Sequence, residues 1–180
     1  MMNLFDMNND NITMNIDGKD IEMKPAICFG KVYDKWLVSR CGKVWSPHYN
    51  RIIRGSKYYE YKKNNVKKLK GIKYQMQVEE EDFWGDGSGL VRDGYDDRWR
   101  RSIKQHKIVM DTWAPLYDNP PKGISWEFWE IGRKYPDNLK FYSESIVIDH
   151  IDDNPANNHL DNLRRVTQWV NNKTRKKKGI

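Results

Sequence analysis

Apolar positions in the first half of the chain fall into short, strand-like runs, and a helical spacing emerges only later. Trp36-Leu37-Val38-Ser39 and Lys43-Val44-Trp45-Ser46 flank Arg40-Cys41-Gly42, which predicts a hairpin closed at a glycine. Further strands are predicted at 20–23, 50–53, 58–62 and 73–78. The rest of residues 1–23 is rich in Asn, Asp and Met without a clear period, and reads as a loosely ordered arm. Residues 79–97 combine Glu79, Glu80, Glu81 and Asp82 with Gly85, Gly87, Gly89 and Gly94, the composition of a flexible acidic linker. Ile103, His106, Val109, Met110 and Trp113 recur at helical spacing and predict a helix over 98–118, with Pro115 as its stop. Residues 122–145 hold Trp126, Phe128, Trp129, Tyr135, Phe141 and Tyr142, an aromatic-rich insert with room for one short helix. The chain then offers a β-prone run at 145–151, a polar loop at 152–158, a second short strand near 160–167 and a helix at 168–177.

Composition narrows this picture. A chain of 180 residues makes one domain or two small ones. Hydrophobic residues are 38% and aromatics 13%, so the core is small and aromatic side chains do much of the burying. That aromatic content excludes a wholly disordered chain. The net charge is +7 and the charge is unevenly spread. Residues 31–73 hold ten Lys and three Arg against Asp34 and Glu60, a local balance of +11, which suits a polyanion such as a phosphate backbone. Basic and aromatic residues interleave there: Lys57, Tyr58, Lys62, Lys63, Lys67 and Lys68. Such a run can lie along nucleic acid, or it can bury its aromatics under solvated lysines; both fit opposite faces of one strand. Cys28 and Cys41 form no zinc-type spacing and suit a reducing compartment. The N-terminus lacks the charged and apolar regions of a signal peptide, and no apolar run reaches 18 residues. A soluble, cytoplasmic protein is expected, with no membrane partner.

The chemistry is concentrated after 145. Ile146-Val147-Ile148-Asp149-His150 ends a strand on an Asp-His pair, followed by Asn157, Asn158, Asn162 and Asn171. Phosphodiester hydrolysis needs a base for water, and imidazole is suited to that near neutral pH. It also needs charge neutralisation at the phosphate and the leaving 3′ oxygen, which a hard cation with oxygen ligands provides. Neighbours on a strand point to opposite faces, but at a strand end Asp149 and His150 can reach one site, with Asn171 approaching from the following helix.

The ordered set Asp149-His150, Asn157-Asn158, Leu160-x-Asn162-Leu163-Arg164, Val166-Thr167 and Asn171 resembles the HNH nucleases, within them the phage and group I intron homing endonucleases. The family pattern runs apolar-Asp-His-x-Asp-x-Asn-x-x-Asn-Asn-x-Leu-x-Asn-Leu-Arg-x-Val-Thr with a later Asn. This chain departs from it at Asp153, where glycine is frequent. The resemblance implies a ββα-metal unit with Asp149 and Asn171 as metal ligands and His150 as general base. Asn162 would pin the loop and orient His150. The cofactor implied is a divalent cation, Mg²⁺, for which Mn²⁺ can substitute.

Trp36-Leu37-Val38-Ser39-x-x-Gly42-Lys43-Val44 is similar to the β module that precedes many such domains and contacts DNA. Gln105-His106-Lys107-Ile108-Val109 resembles the helix before the motif. His106 is read there as a structural or phosphate-binding residue ahead of a catalytic one. His159 lies where the family varies and is read as a loop residue or phosphate contact.

The expected architecture is α+β. An arm (1–23) leads into a β-rich basic DNA-binding module with its acidic linker (24–97), then a nuclease domain (98–180) carrying the 122–145 insert. DNA contacts are expected from the basic run and from Arg164, Arg165, Lys173 and Arg175. The function expected is site-specific cleavage of double-stranded DNA by a monomer or homodimer. Two alternatives are a low-specificity or structure-specific phage nuclease and an inactive DNA-binding protein.

Overall fold

The computed structural model describes residues 11–28, 30–61, 67–78, 90–92, 99–135, 138 and 145–177. Eleven strands form three antiparallel sheets within these residues. The first sheet is a meander of β1 (Ile12–Ile16), β2 (Lys19–Cys28), β3 (Lys31–Ser39), β4 (Val44–Ser46) and β5 (Arg51–Ile52). The expected hairpin is β3–β4, with Val38 opposite Val44 and Leu37 opposite Trp45. The stretch expected to be a loose arm is instead strand from Ile12 onward. Asp17 and Gly18, at φ 55° and 76°, close a two-residue turn with both residues left-handed, the backbone that matches strand twist in a tight hairpin. Ile16 is buried and Met14 half-buried on the alternation this pairing imposes.

The second sheet runs β6 (Ser56–Tyr61), β7 (Lys67–Val78), β9 (Trp99–Lys104) and β8 (Leu90–Arg92). Residues 90–92, expected within the linker, pair with β9; the acidic run 79–82 lies outside the described residues, as do Lys62 and Lys63. The helix expected over 98–118 is also corrected. Its first part is β9, and α1 spans only Gln105–Trp113. Buried Ile103 between exposed Ser102 and Lys104 has strand periodicity, and β7 supplies a continuous partner, with Tyr74 opposite Ile103. From Gln105 the buried positions Ile108, Val109 and Thr112 follow the helical period.

One apolar core joins these parts. Trp36 and Val38 from the first sheet, Tyr74, Met76 and Ile103 from the second, Ile108 and Val109 of α1, and Leu163 share it. Trp36 meets Tyr74 edge to face at 5.8 Å between ring centroids, which links the two sheets. The insert contributes α2 (Trp126–Gly132), capped by Ser125, whose Oγ accepts from the Phe128 amide. Trp129 is fully buried and donates through Nε1 to the Tyr117 carbonyl. Before α2, Lys122 bridges Val166, and the chain passes so close to Val170 that a Cβ on Gly123 would lie 2.9 Å from it. The insert is therefore packed against the last strand and helix. Both cysteines are free thiols, Cys28 buried and Cys41 exposed. No described helix is long and apolar enough to cross a membrane.

Candidate active site

Strand β10 (Ile146–His150) pairs with β11 (Leu163–Thr167), and α3 (Gln168–Lys177) follows directly. The loop between the strands is a lattice of side-chain hydrogen bonds. The Asp152 carboxylate accepts from the Asn154 amide at 2.8 Å, from Asn157 Nδ2 at 2.8 Å and from Asn162 Nδ2 at 2.9 Å. Asn162 also accepts from the Asp152 amide and donates to the Asn157 carbonyl. These donors, Asn157 first and then the Asn154 amide and Asn162, hold the Asp152 carboxyl below its usual range. Asp153 sits at φ 61°, a left-handed position that Asp tolerates better than most residues and glycine best of all. The family's frequent glycine at this place has a backbone reason.

The loop turns the chain at His150, so that Asp149 and His150 line one open cleft of about 260 Å³. Asn171 reaches it from α3, His106 from α1, and Lys68 and Lys70 from β7. The three residues expected at the centre thus come together, alongside two lysines from the basic region. Lys70 is paired with Glu60 at 2.8 Å.

His150 Nε2 lies 3.0 Å from Asn158 Oδ1. The residue touching the imidazole is therefore Asn158, while the Asn162 side chain is spent on Asp152 and Asn157. Behind Asn158 stands Gln105, buried at the start of α1, whose Oε1 accepts from Asn158 Nδ2 at 2.7 Å. Gln105 Nε2 donates to the Gly42 carbonyl and to the Tyr74 hydroxyl. The β3–β4 turn also holds the loop through the Arg40 carbonyl, which accepts from the Leu160 amide at 2.8 Å. No local pattern marks Gln105 or Gly42 as site residues, because their partners lie far away in the chain.

His106 packs its ring edge-on to His150, with centroids 5.4 Å apart. Burial, helped by the charges of His150, Lys104 and Lys107, pushes its pKa down to about 3, and its Nδ1 is buried without a partner. It forms a neutral wall of the cleft. His159 Nδ1 accepts from the Asp161 amide and caps the short 3-10 turn Leu160–Asn162, a local structural position.

The two adjacent arginines diverge. Arg164 Nε and Nη2 both reach Asp149 Oδ2, at 2.9 and 2.7 Å. Arg165, one position along the strand, points into the protein. It is 7% exposed, pairs with Asp111 at 2.8 Å and donates to the Ala114 carbonyl. Burial lowers its pKa, opposed by Asp111. Arg165 is thereby withdrawn from the expected DNA-contacting set, because a phosphate cannot reach a guanidinium already enclosed. Of the others, Lys57 is exposed, Tyr58 is half-buried, Lys67 covers the Tyr59 ring at 4.2 Å, and Lys173 covers the exposed Trp169 ring at 4.8 Å. The side chain of Arg175 lies outside the described residues.

The donor set fits a hard divalent cation that keeps part of its water shell. Among the described residues no cluster of three His, Cys, Asp or Glu side chains is placed to hold a metal. Asp149 Oδ1 and the Asn171 side chain, however, take no hydrogen bond among those residues and border the same cleft. One carboxylate and one amide oxygen beside open space are what Mg²⁺ takes when phosphate supplies further ligands.

Comparison with known proteins bears on the same segment. Residues 132–173 match the model of a family described as HNH endonuclease. A solved structure described as DNA binding and cleavage by the HNH homing endonuclease I-HmuI aligns at 18% identity with a TM-score of 0.38, over 80% of this chain and 53% of that one. This chain thus spans about half of that protein's length. No curated protein matches the chain.

Proposed function

We propose that this protein, whose residues 132–173 match the HNH endonuclease family model, is a site-specific DNA endonuclease that hydrolyses phosphodiester bonds with His150 as general base. The observation that carries the reading is the convergence of Asp149, His150 and Asn171 on one cleft walled by Lys68 and Lys70. His150 accepts the proton of the attacking water. Lys68 and Lys70 attract the phosphodiester and hold it over the imidazole. Asn162 acts one step back, keeping in shape the loop that follows His150 and carries Asn158. Asp149 and Asn171 would hold Mg²⁺, or Mn²⁺ in its place, and the ion would supply charge neutralisation at the phosphate and the leaving 3′ oxygen.

The DNA lies, on this reading, across the β6–β7 hairpin, whose exposed Lys57 and Lys67 and half-buried Tyr58 continue from the cleft, and reaches α3 at Lys173. The β-rich part over 24–97 thus grips double-stranded DNA and the part over 98–180 cuts it. One site per chain nicks as a monomer and breaks both strands as a homodimer.

The test is digestion of a supercoiled shotgun library beside a random plasmid, with Mg²⁺ and with EDTA. Metal-dependent cutting at one library sequence supports the proposal. A smear on both substrates points to a low-specificity nuclease, and tight binding without cutting in Mg²⁺ or Mn²⁺ points to a DNA-binding protein.

A further inference from the structure

We propose that Gln105 is a positioning residue for the reaction: anchored on the Gly42 carbonyl, it dictates through Asn158 that His150 carries its proton on Nε2, leaving Nδ1 as the basic nitrogen. The inference rests on the reading of His150 as general base.

Hydrogen-bond polarity fixes the orientation of each amide in turn. A backbone carbonyl only accepts, so the end of Gln105 that meets Gly42 must be its NH₂ group. The same group meets the Tyr74 hydroxyl at 3.1 Å. Gln105 therefore turns its oxygen to Asn158, which must answer with its own NH₂ at 2.7 Å. A second carbonyl, that of Ala156 at the longer distance of 3.3 Å, favours the same orientation of Asn158 without enforcing it. Only Asn158 Oδ1 is then left for His150, and an oxygen without a proton can only accept. Nε2 is the donor, and Nδ1, which takes no hydrogen bond among the described residues, keeps its lone pair.

The relay is enclosed. Asn158 is 3% exposed and Gln105 9%. Flipping either amide would bury two like groups face to face, a cost that water would otherwise relieve. The anchor is just as constrained. Gly42 sits at φ +82°, and a Cβ there would lie 3.2 Å from both Gln105 Nε2 and the Asn158 carbonyl. The glycine of the N-terminal hairpin turn is thus packed directly on the device that orients the base, 108 positions before it in the chain.

The test reads the tautomer directly, by two-bond ¹H–¹⁵N correlation of ¹⁵N-histidine protein at pH 8, without DNA or metal. Wild type should show the His150 proton on Nε2. Asn158→Asp should keep it there, because a carboxylate also only accepts. Gln105→Leu and the near-isosteric Gln105→Met should give a mixture of tautomers. Cleavage under saturating DNA should fall in both Gln105 variants by roughly 10- to 100-fold, part of what a general base contributes, with DNA affinity unchanged. A wild-type proton on Nδ1 overturns the proposal, as does a folded Gln105 variant that keeps a pure Nε2 tautomer. The spectrum needs no activity, so a protein that cuts nothing would sink the nuclease reading while leaving this result to stand or fall separately.

Discussion

Two neighbouring parts of this molecule are held together by opposite means. Around α1, fully buried Ile103, Ile108, Val109 and Val38 from three elements pack into one apolar core. A few ångströms away, the loop between β10 and β11 is largely exposed and is shaped by Asp152, Asn154, Asn157 and Asn162 bonding to one another and to backbone. Apolar packing is strong but tolerant in direction, whereas hydrogen bonds are modest in net energy and strict in geometry. The difference teaches a division of labour: the core stabilises the fold, and the polar loop sets where His150 points. Substitutions in the first region should appear in melting temperature, and those in the second in reaction rate.

The largest stability effect is expected at the core. Ile108→Ala removes a fully buried side chain at the junction of both sheets with α1 and should cost about 2–5 kcal/mol. Thermal melting by circular dichroism should fall by roughly 5–15 °C. Cleavage per folded molecule should stay near wild type below the melt. An equal loss of rate at full folding would erase the contrast.

Asn162→Ala should invert that pattern. It removes three hydrogen bonds of the loop, two of them to Asp152, for about 1–3 kcal/mol because water can replace part of them. Its effect on cleavage should exceed its effect on melting, since His150 loses the frame of its loop. A variant that melts early yet cuts normally would show that the loop is ordinary stabilising structure.

The smallest effect concerns pH. The Asp152 carboxyl is held below its unfolded value by its donors, so the unfolded chain takes up its proton first on acidification. Its contribution is complete above the ordinary Asp range and fades as pH falls through the lowered folded value. Melting of wild type and Asp152→Asn, compared from pH 6 to pH 3, should therefore converge at the acid end. A gap that widens toward low pH would contradict the assignment of these hydrogen bonds to the charged form.

Much of the site was legible in the sequence because its residues sit close together in the chain. The Asp149-His150 pair, the Asn-rich loop, the second strand and Asn171 all lie within 23 successive positions. The arginine pair shows a signal present but unused. Strand alternation sends Arg164 and Arg165 to opposite faces, so both could not serve the same DNA surface. The Asp17-Gly18 turn was equally available, yet composition pulled that stretch toward disorder. β9 was hidden for a different reason: its apolar spacing runs straight into α1, and only pairing with β7 reveals where strand ends. The relay through Gln105 had no local signal at all, since Gly42, Tyr74, Gln105 and Asn158 meet only in the folded chain.

Supercoiled DNA carrying the target should be incubated with wild type and with His150→Ala in Mg²⁺, with binding followed in parallel by gel shift. The variant is expected to bind DNA as wild type does and to lose cleavage by about 10²- to 10⁴-fold. Full cleavage by His150→Ala would contradict the role of His150 as general base.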